Sequence, residues 1–200
     1  MNFFRRGQEP IIVVSGLPRS GTSLMMQMLS AGGMPVLTDT QRPADNSNPR
    51  GYFEYAPVKR MHTGDTGWLS DAHGKAVKIV SALLTTLPTQ YVYRIIFMQR
   101  PLDEVVQSQR AMRERLGKLT DDFDADRLME DTARHLQTID AWLAAQNWLS
   151  VLRVGYADVL ATPAAEAARV AAFTGKTLDL AAMAAVVDPA LYRARGEDQE

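Results

Sequence analysis

A glycine-containing loop separates a predicted strand from a predicted helix near the start of the chain. The β-branched run at residues 11–14 predicts a strand buried on both faces, and the residues after Gly21 predict a helix that ends at Gly32-Gly33. The connecting residues, 16–23, read Gly-Leu-Pro-Arg-Ser-Gly-Thr-Ser. Backbone amides in such a loop converge on an anion, and the helix N-terminus adds a partial positive charge. The loop therefore predicts an anion site at a sheet edge; the alternative is a plain turn.

Strand and helix patterns alternate along the rest of the chain. Further strands are predicted at residues 76–80, 93–98 and 148–154. The predicted helices cover residues 101–115, 122–146 with Asp121 and Asp122 as caps, 162–175, and a last segment that starts at Asp179. This alternation predicts a single three-layer α/β/α domain, residues 1–200, around a central parallel sheet. Residues 34–75 show no sustained period apart from a short helix near Pro57, which predicts a lid or acceptor-binding region.

Composition excludes several function classes. The 200 residues carry a net charge of -1, which argues against a protein that coats nucleic acid or an anionic membrane. The absence of cysteine excludes disulfides, thiolate metal sites and a cysteine nucleophile, and the three histidines are scattered. The sequence shows neither a signal-peptide pattern nor an apolar run long enough for a membrane span. We therefore expect a cytoplasmic protein.

The loop has the G-x-x-x-x-G spacing of a nucleotide-binding P-loop but differs from it at the key cation. Thr22 stands where the phosphate-binding lysine belongs, and the cation is Arg19, inside the loop. A nucleoside triphosphatase also needs an acidic residue at the end of a neighbouring strand to hold magnesium, yet the third strand ends Met98-Gln99-Arg100. The sequence thus keeps the anion cradle without the magnesium ligand, and we expect no metal.

A second anion site is predicted at the end of the third strand. Arg100 ends that strand, and Ser108 follows in the next helix, so both can reach one phosphate at the carboxyl edge of the sheet. Taken singly, each residue has an ordinary surface or helical role as its alternative. Two anion sites on one edge predict a nucleotide that carries two phosphate groups in different places.

Three motifs resemble the sulfotransferase family, which uses 3′-phosphoadenosine 5′-phosphosulfate (PAPS) as sulfuryl donor. They are the loop at residues 16–23, the Arg100-Pro101-x6-Ser108 segment, and residues 154–163. The resemblance implies that Arg19, Ser20, Gly21, Thr22 and Ser23 bind the 5′-phosphosulfate, that Arg100 and Ser108 bind the 3′-phosphate, and that Tyr156 contacts adenine. It also leaves Arg193 and Arg195, near the end of the chain, as a basic segment over the 3′-phosphate or as a solvated tail.

The resemblance further implies the catalytic groups. Lys78, on the second predicted strand, matches the family lysine that touches the transferring group, with a strand-end lysine that reaches solvent as the alternative. Arg19 is the other predicted catalytic cation. Cytosolic members carry a catalytic histidine where this sequence has Val80, whereas the branches that lack this histidine use a glutamate. Glu54 is therefore the predicted base, with a solvated loop glutamate as the alternative, and His62 is the second candidate.

The expected function is a metal-independent transfer of a sulfuryl group from PAPS to a hydroxyl or amine of a small-molecule or glycan acceptor. The alternatives are a kinase with a degenerate P-loop and a non-catalytic nucleotide-binding module. The identity of the acceptor and the oligomeric state stay open at this point.

Overall fold

The central sheet contains five parallel strands in the order β2-β3-β1-β4-β5. A computed structural model describes residues 8–39, 51–120 and 123–188. The strands are β1 (Ile11–Gly16), β2 (Val36–Leu37), β3 (Ala76–Lys78), β4 (Tyr93–Gln99) and β5 (Leu149–Gly155). All four strand pairs are parallel, and helices flank the sheet. The predicted α/β architecture with a central parallel sheet is confirmed.

Six α-helices and three 3₁₀ segments accompany the strands, and the last three helices follow β5. The helices are α1 (Thr22–Ala31), α2 (Leu102–Arg115), α3 (Ala125–Ala145), α4 (Tyr156–Ala161), α5 (Pro163–Thr174) and α6 (Leu180–Ala185). The 3₁₀ segments cover Ala56–Thr63, Gly67–Ala72 and Ser81–Thr86. These counts refer to the three described ranges.

Strand β1 divides the core into two layers. Its four apolar residues are fully buried, and successive side chains point to opposite faces of the sheet. Ile11 and Val13 pack with Ile139 of α3 and with the 3₁₀ segments, whereas Ile12 and Val14 pack with α1, α5 and α6. A continuous apolar strand of this kind needs cover on both faces, so β1 fixes the three-layer architecture.

Aspartate side chains cap two helices as predicted, but the cap of α3 is a different aspartate from the two that were predicted. Asp179 caps α6, because its side chain accepts a hydrogen bond from the Ala182 amide at 2.9 Å. The cap of α3 is Asp124, which accepts from the Arg127 amide at 2.9 Å. Asp121 and Asp122 lie outside the described residues.

Some element predictions need correction. The strand predicted at residues 76–80 is β3, which ends at Lys78, because Val80 is already the N-cap residue of the Ser81–Thr86 segment. The short helix near Pro57 is confirmed as the segment Ala56–Thr63. Strand β2, the segment Gly67–Ala72 and helix α4 lie where no element was predicted.

None of the helices in the described ranges combines the length and the apolar character that crossing a membrane requires.

Replacing Gly21 with alanine tests how tightly the loop is built. Gly21 has a φ of 98°, and a Cβ there would lie 2.5 Å from Cδ2 of Tyr156. We expect Gly21→Ala to lower the free energy of unfolding by about 3 kcal/mol, from left-handed backbone strain plus overpacking. Urea denaturation measures the change.

Gly64 offers a matched control for this variant. Its φ is 87°, but a Cβ there would meet nothing within 4 Å. Gly64→Ala should therefore cost only the backbone strain, about 1 kcal/mol. Equal losses of stability in the two variants would contradict the close packing of Tyr156 on the loop.

Candidate functional site

One cavity of about 400 Å³ opens at the carboxyl edge of the sheet. The ends of β1, β3, β4 and β5 meet at this edge, which is where open parallel sheets bind ligands. Three chain segments complete the walls: the loop after β1 with the start of α1, residues 52–59, and one face of α2. The predicted site residues that line the cavity are Arg19, Gly21, Thr22, Ser23, Glu54, Lys78, Arg100, Ser108 and Tyr156.

The loop after β1 is held in an unusual backbone conformation. Arg19 has a φ of 75°, which is rare for a residue with a side chain. The Ser20 hydroxyl donates to the Leu17 carbonyl at 2.8 Å, and the Ser20 amide donates to the same oxygen at 3.2 Å. Ser20 is buried and does not line the cavity, so its side chain braces the loop.

The structure brings the two predicted anion sites into direct contact. The Arg19 Nε donates to the Ser108 Oγ at 3.0 Å. The Arg100 Nη1 donates to the backbone carbonyl of Arg19 at 3.2 Å. The side chain of Arg19 therefore links the loop to α2 through Ser108, and its backbone carbonyl links the loop to Arg100 at the end of β4.

A buried ion pair between Arg100 and Glu104 holds the Arg100 side chain in position to contact the loop. The Arg100 Nε lies 2.8 Å from Oε2 of Glu104, and the two side chains are 7% and 8% exposed. The Arg100 guanidinium also lies over the Tyr156 ring, 4.8 Å from its centroid. On its other side the Tyr156 ring packs against Gly21, where a side chain would clash with it, so the ring lies between the loop and Arg100. Glu104, Tyr156 and Gly21 therefore all help to hold Arg100 in place.

The electrostatics of this end of the cavity favour an anion. Burial lowers the pKa of the Arg19 guanidinium from its ordinary value; Tyr52 opposes the shift, while the charges of Arg100 and Arg115 add to it. Burial raises the pKa of Tyr156 above its ordinary value, with the two nearby arginines opposing. Arg19, Arg100 and Arg115 thus lie close enough to repel one another, and a bound anion would relieve this repulsion.

The other end of the cavity contains Lys78 and Glu54. The Lys78 Nζ donates to the Tyr52 carbonyl and, at 3.4 Å, to the Ser23 Oγ at the start of α1. The Glu54 carboxylate pairs with Lys59 at 3.1 Å and is 21% exposed. Tyr55, Val58, Val80 and Leu83 add apolar surface to this part of the wall.

The remaining predicted site residues, His62, Arg193 and Arg195, are not part of the cavity wall that the structure describes. His62 is exposed, its Nδ1 lies 2.7 Å from the Lys59 carbonyl, and it does not line the cavity. Arg193 and Arg195 lie outside the described residues. The described ranges contain no group of three or more His, Cys, Asp or Glu residues with the arrangement of a metal site.

Sequence reasoning missed four polar residues of the wall, Gln27, Lys59, Arg115 and Asp188. A signal existed for Arg115, because it follows Ser108 by seven residues and helical spacing places both on one face of α2. Gln27, Lys59 and Asp188 carry no comparable signal.

Comparison with solved structures supports the fold. The sulfotransferase domain from the curacin biosynthetic pathway superposes with a TM-score of 0.55 at 14% sequence identity, covering 96% of this chain and 93% of that one. No family model matches the sequence. No curated protein matches it either. The chain thus shares its α/β fold with this sulfotransferase domain.

Removing Glu104 should strongly destabilise the protein. Breaking a buried ion pair leaves an uncompensated buried charge, so we expect Glu104→Ala to lower the free energy of unfolding by about 3 kcal/mol. Asp140→Ala is the control, since Asp140 pairs with Arg153 on the surface at 2.6 Å with both side chains nearly half exposed. That variant should lose less than about 1 kcal/mol. Similar losses in urea denaturation would argue against a structural role for the buried pair.

Proposed function

We propose that the protein is a sulfotransferase that uses PAPS as donor and a hydroxyl or amine of a small molecule or glycan as acceptor. The observation that carries the proposal is the contact of Arg19 with Ser108 at the mouth of a P-loop-like turn, in a sulfotransferase-like fold. A donor with two separate anionic groups needs two adjacent anion sites, and this contact joins them.

The residues present fit such a donor. Hydroxyls and cations line the cavity from the loop to α2, and a helix N-terminus faces it at Thr22. Arginine binds tetrahedral oxyanions through two donors, which suits Arg19 for the 5′-phosphosulfate. The cavity volume lies in the range of small-molecule sites. Tyr156 lines the cavity, although its ring packs between the loop and Arg100, and it is the proposed adenine contact.

When bound, PAPS supplies a sulfur–oxygen bond that breaks as the acceptor oxygen or nitrogen bonds to sulfur, with the electron pair leaving on the 5′-phosphate of 3′-phosphoadenosine 5′-phosphate (PAP). Arg19 and Lys78 neutralise the charge on the departing oxygens. Lys78 is held for this purpose by the Tyr52 carbonyl and Ser23.

Glu54 is the proposed base that takes the acceptor proton. Its carboxylate faces the cavity from the 52–59 wall, the part of the site that is richest in apolar and aromatic surface. A general base must lie within reach of the proton that it removes, and this wall is where an acceptor body packs. Its carboxylate also pairs with Lys59, whose side chain is largely exposed.

The two alternative functions make different demands on the site. A kinase would need a lysine at the position of Thr22 and an acidic magnesium ligand near Gln99. A non-catalytic module would bind the nucleotide without any transfer. No observation favours either alternative over sulfuryl transfer.

Calorimetric titration with PAP, AMP and ATP tests the donor. We expect PAP to bind at least about tenfold more tightly than AMP, because its second phosphate gains charge-assisted hydrogen bonds. Binding of PAP should not change when magnesium is replaced by EDTA. Preference for ATP with magnesium, or equal affinity for PAP and AMP, would contradict the proposal.

Glu54→Gln tests the base. Glutamine keeps the shape but cannot accept the proton, so we expect kcat to fall about a hundredfold while the Kd for PAP is unchanged. Turnover is measured with radiolabelled PAPS and the best acceptor from a panel of alcohols, phenols, amines and sugars. Glu130→Gln, on the exposed side of α3, is the control and should keep full activity. Full activity of Glu54→Gln across neutral pH would exclude Glu54 as the base.

A further inference from the structure

One face of α2 lines the cavity for two helical turns. Ser108, Ala111, Met112 and Arg115 all lie on the wall, and their spacing of three, four and seven residues places them in one stripe. The stripe is polar at its two ends and apolar between them. Arg115 therefore extends the anion-binding end of the cavity beyond Ser108.

The side chain of Arg115 folds back along this stripe. Its Nε donates to the Ala111 carbonyl at 3.1 Å, one turn towards the N-terminus of α2. This bond places the guanidinium beside the turn that follows Ser108. Long helical side chains favour this direction, so the geometry is unstrained.

Arg115 also differs from Arg100 in how its charge is used. The Arg100 guanidinium is buried, pairs with Glu104 and donates to the Arg19 carbonyl. Arg115 is exposed and forms no ion pair within the described part of the chain. The charge of Arg115 is felt at Arg19, where it helps to lower the pKa of that guanidinium. Arg100 is thus mainly committed to holding the loop, whereas Arg115 can move to meet a ligand.

We propose that Arg115 is a specificity-determining residue that binds the second phosphate of the nucleotide, together with Ser108. This inference rests on the proposed function, in which that group is the 3′-phosphate of PAPS. The 5′-phosphosulfate lies on the loop amides and the start of α1, so the α2 stripe is left for the other phosphate. Arginine forms paired hydrogen bonds with phosphate oxygens, and none of the stripe residues between Ser108 and Arg115 can do so.

Arg115→Gln tests the inference by calorimetry with PAP and AMP, which differ only in the 3′-phosphate. We expect the Kd for PAP to rise about tenfold or more, and the Kd for AMP to stay within about twofold. Arg115→Lys should recover part of the loss, because lysine keeps the charge but not the paired donors. Arg115 is exposed, so all variants should unfold at the wild-type urea midpoint.

Arg110→Gln is the matched control. Arg110 lies on the same helix and is exposed, but it does not line the cavity. The same charge change there should leave both Kd values unchanged. Equal weakening by the two variants would show a general charge effect and overturn the inference, as would an Arg115→Gln protein that keeps the full preference for PAP.

The preference of the wild-type protein for PAP over AMP distinguishes failure of the donor proposal from failure of the proposed role of Arg115. If it binds PAP no better than AMP, the proposed donor is wrong and the role of Arg115 is overturned with it. If it prefers PAP and Arg115→Gln does not reduce that preference, the donor proposal stands and the role of Arg115 alone is excluded.

Discussion

The buried guanidinium of Arg100 joins the parts on which the site depends. It pairs with Glu104 inside α2, donates to the Arg19 carbonyl in the loop, and lies over the Tyr156 ring at the end of β5. A guanidinium in this position is stable only because the carboxylate offsets its desolvation. In return, the hydrogen bond to the loop holds Arg19 at a positive φ, which the isolated loop would not favour. Loop, helix and strand end therefore keep one relative arrangement before any ligand arrives.

Strand order explains why the two ends of the cavity differ. Strand β1 pairs with β4 on one side and with β3 on the other, so the loop after β1 lies between their ends. On the β4 side, the end of the strand contributes Arg100 and the following helix α2 contributes Ser108, and both face the nucleotide under the proposed function. The β3 side contributes Lys78 and faces residues 52–59, where the acceptor would pack. The sulfuryl group of the donor and the acceptor atom would then meet over the loop, beside Arg19.

The fold was largely predictable from the sequence, and the site only in part. Strand β1 has an uninterrupted apolar pattern, and local chemistry marks the ends of α1, α2 and α6, so these elements were found. Strand β2 has two residues and is held by pairing with β3, which leaves no periodic signal. The residue types around the loop indicated anion binding, but the contact between Arg19 and Ser108 spans 89 positions and depends on tertiary packing. Ser20 shows the same limit, since only the structure reveals that its hydroxyl is used inside the loop.

Net charge was a poor guide to this site, and burial explains why. The chain carries a net charge of -1, yet one cavity is lined by five cations against two carboxylates: Arg19, Lys59, Lys78, Arg100 and Arg115 against Glu54 and Asp188. Opposite charges elsewhere on the surface are screened within about 10 Å at ordinary salt. Inside the cavity screening is weaker, so local cations act on a ligand with little cancellation from the rest of the chain. Affinity for a doubly anionic nucleotide would then arise from contact within the cavity, and long-range attraction would contribute little.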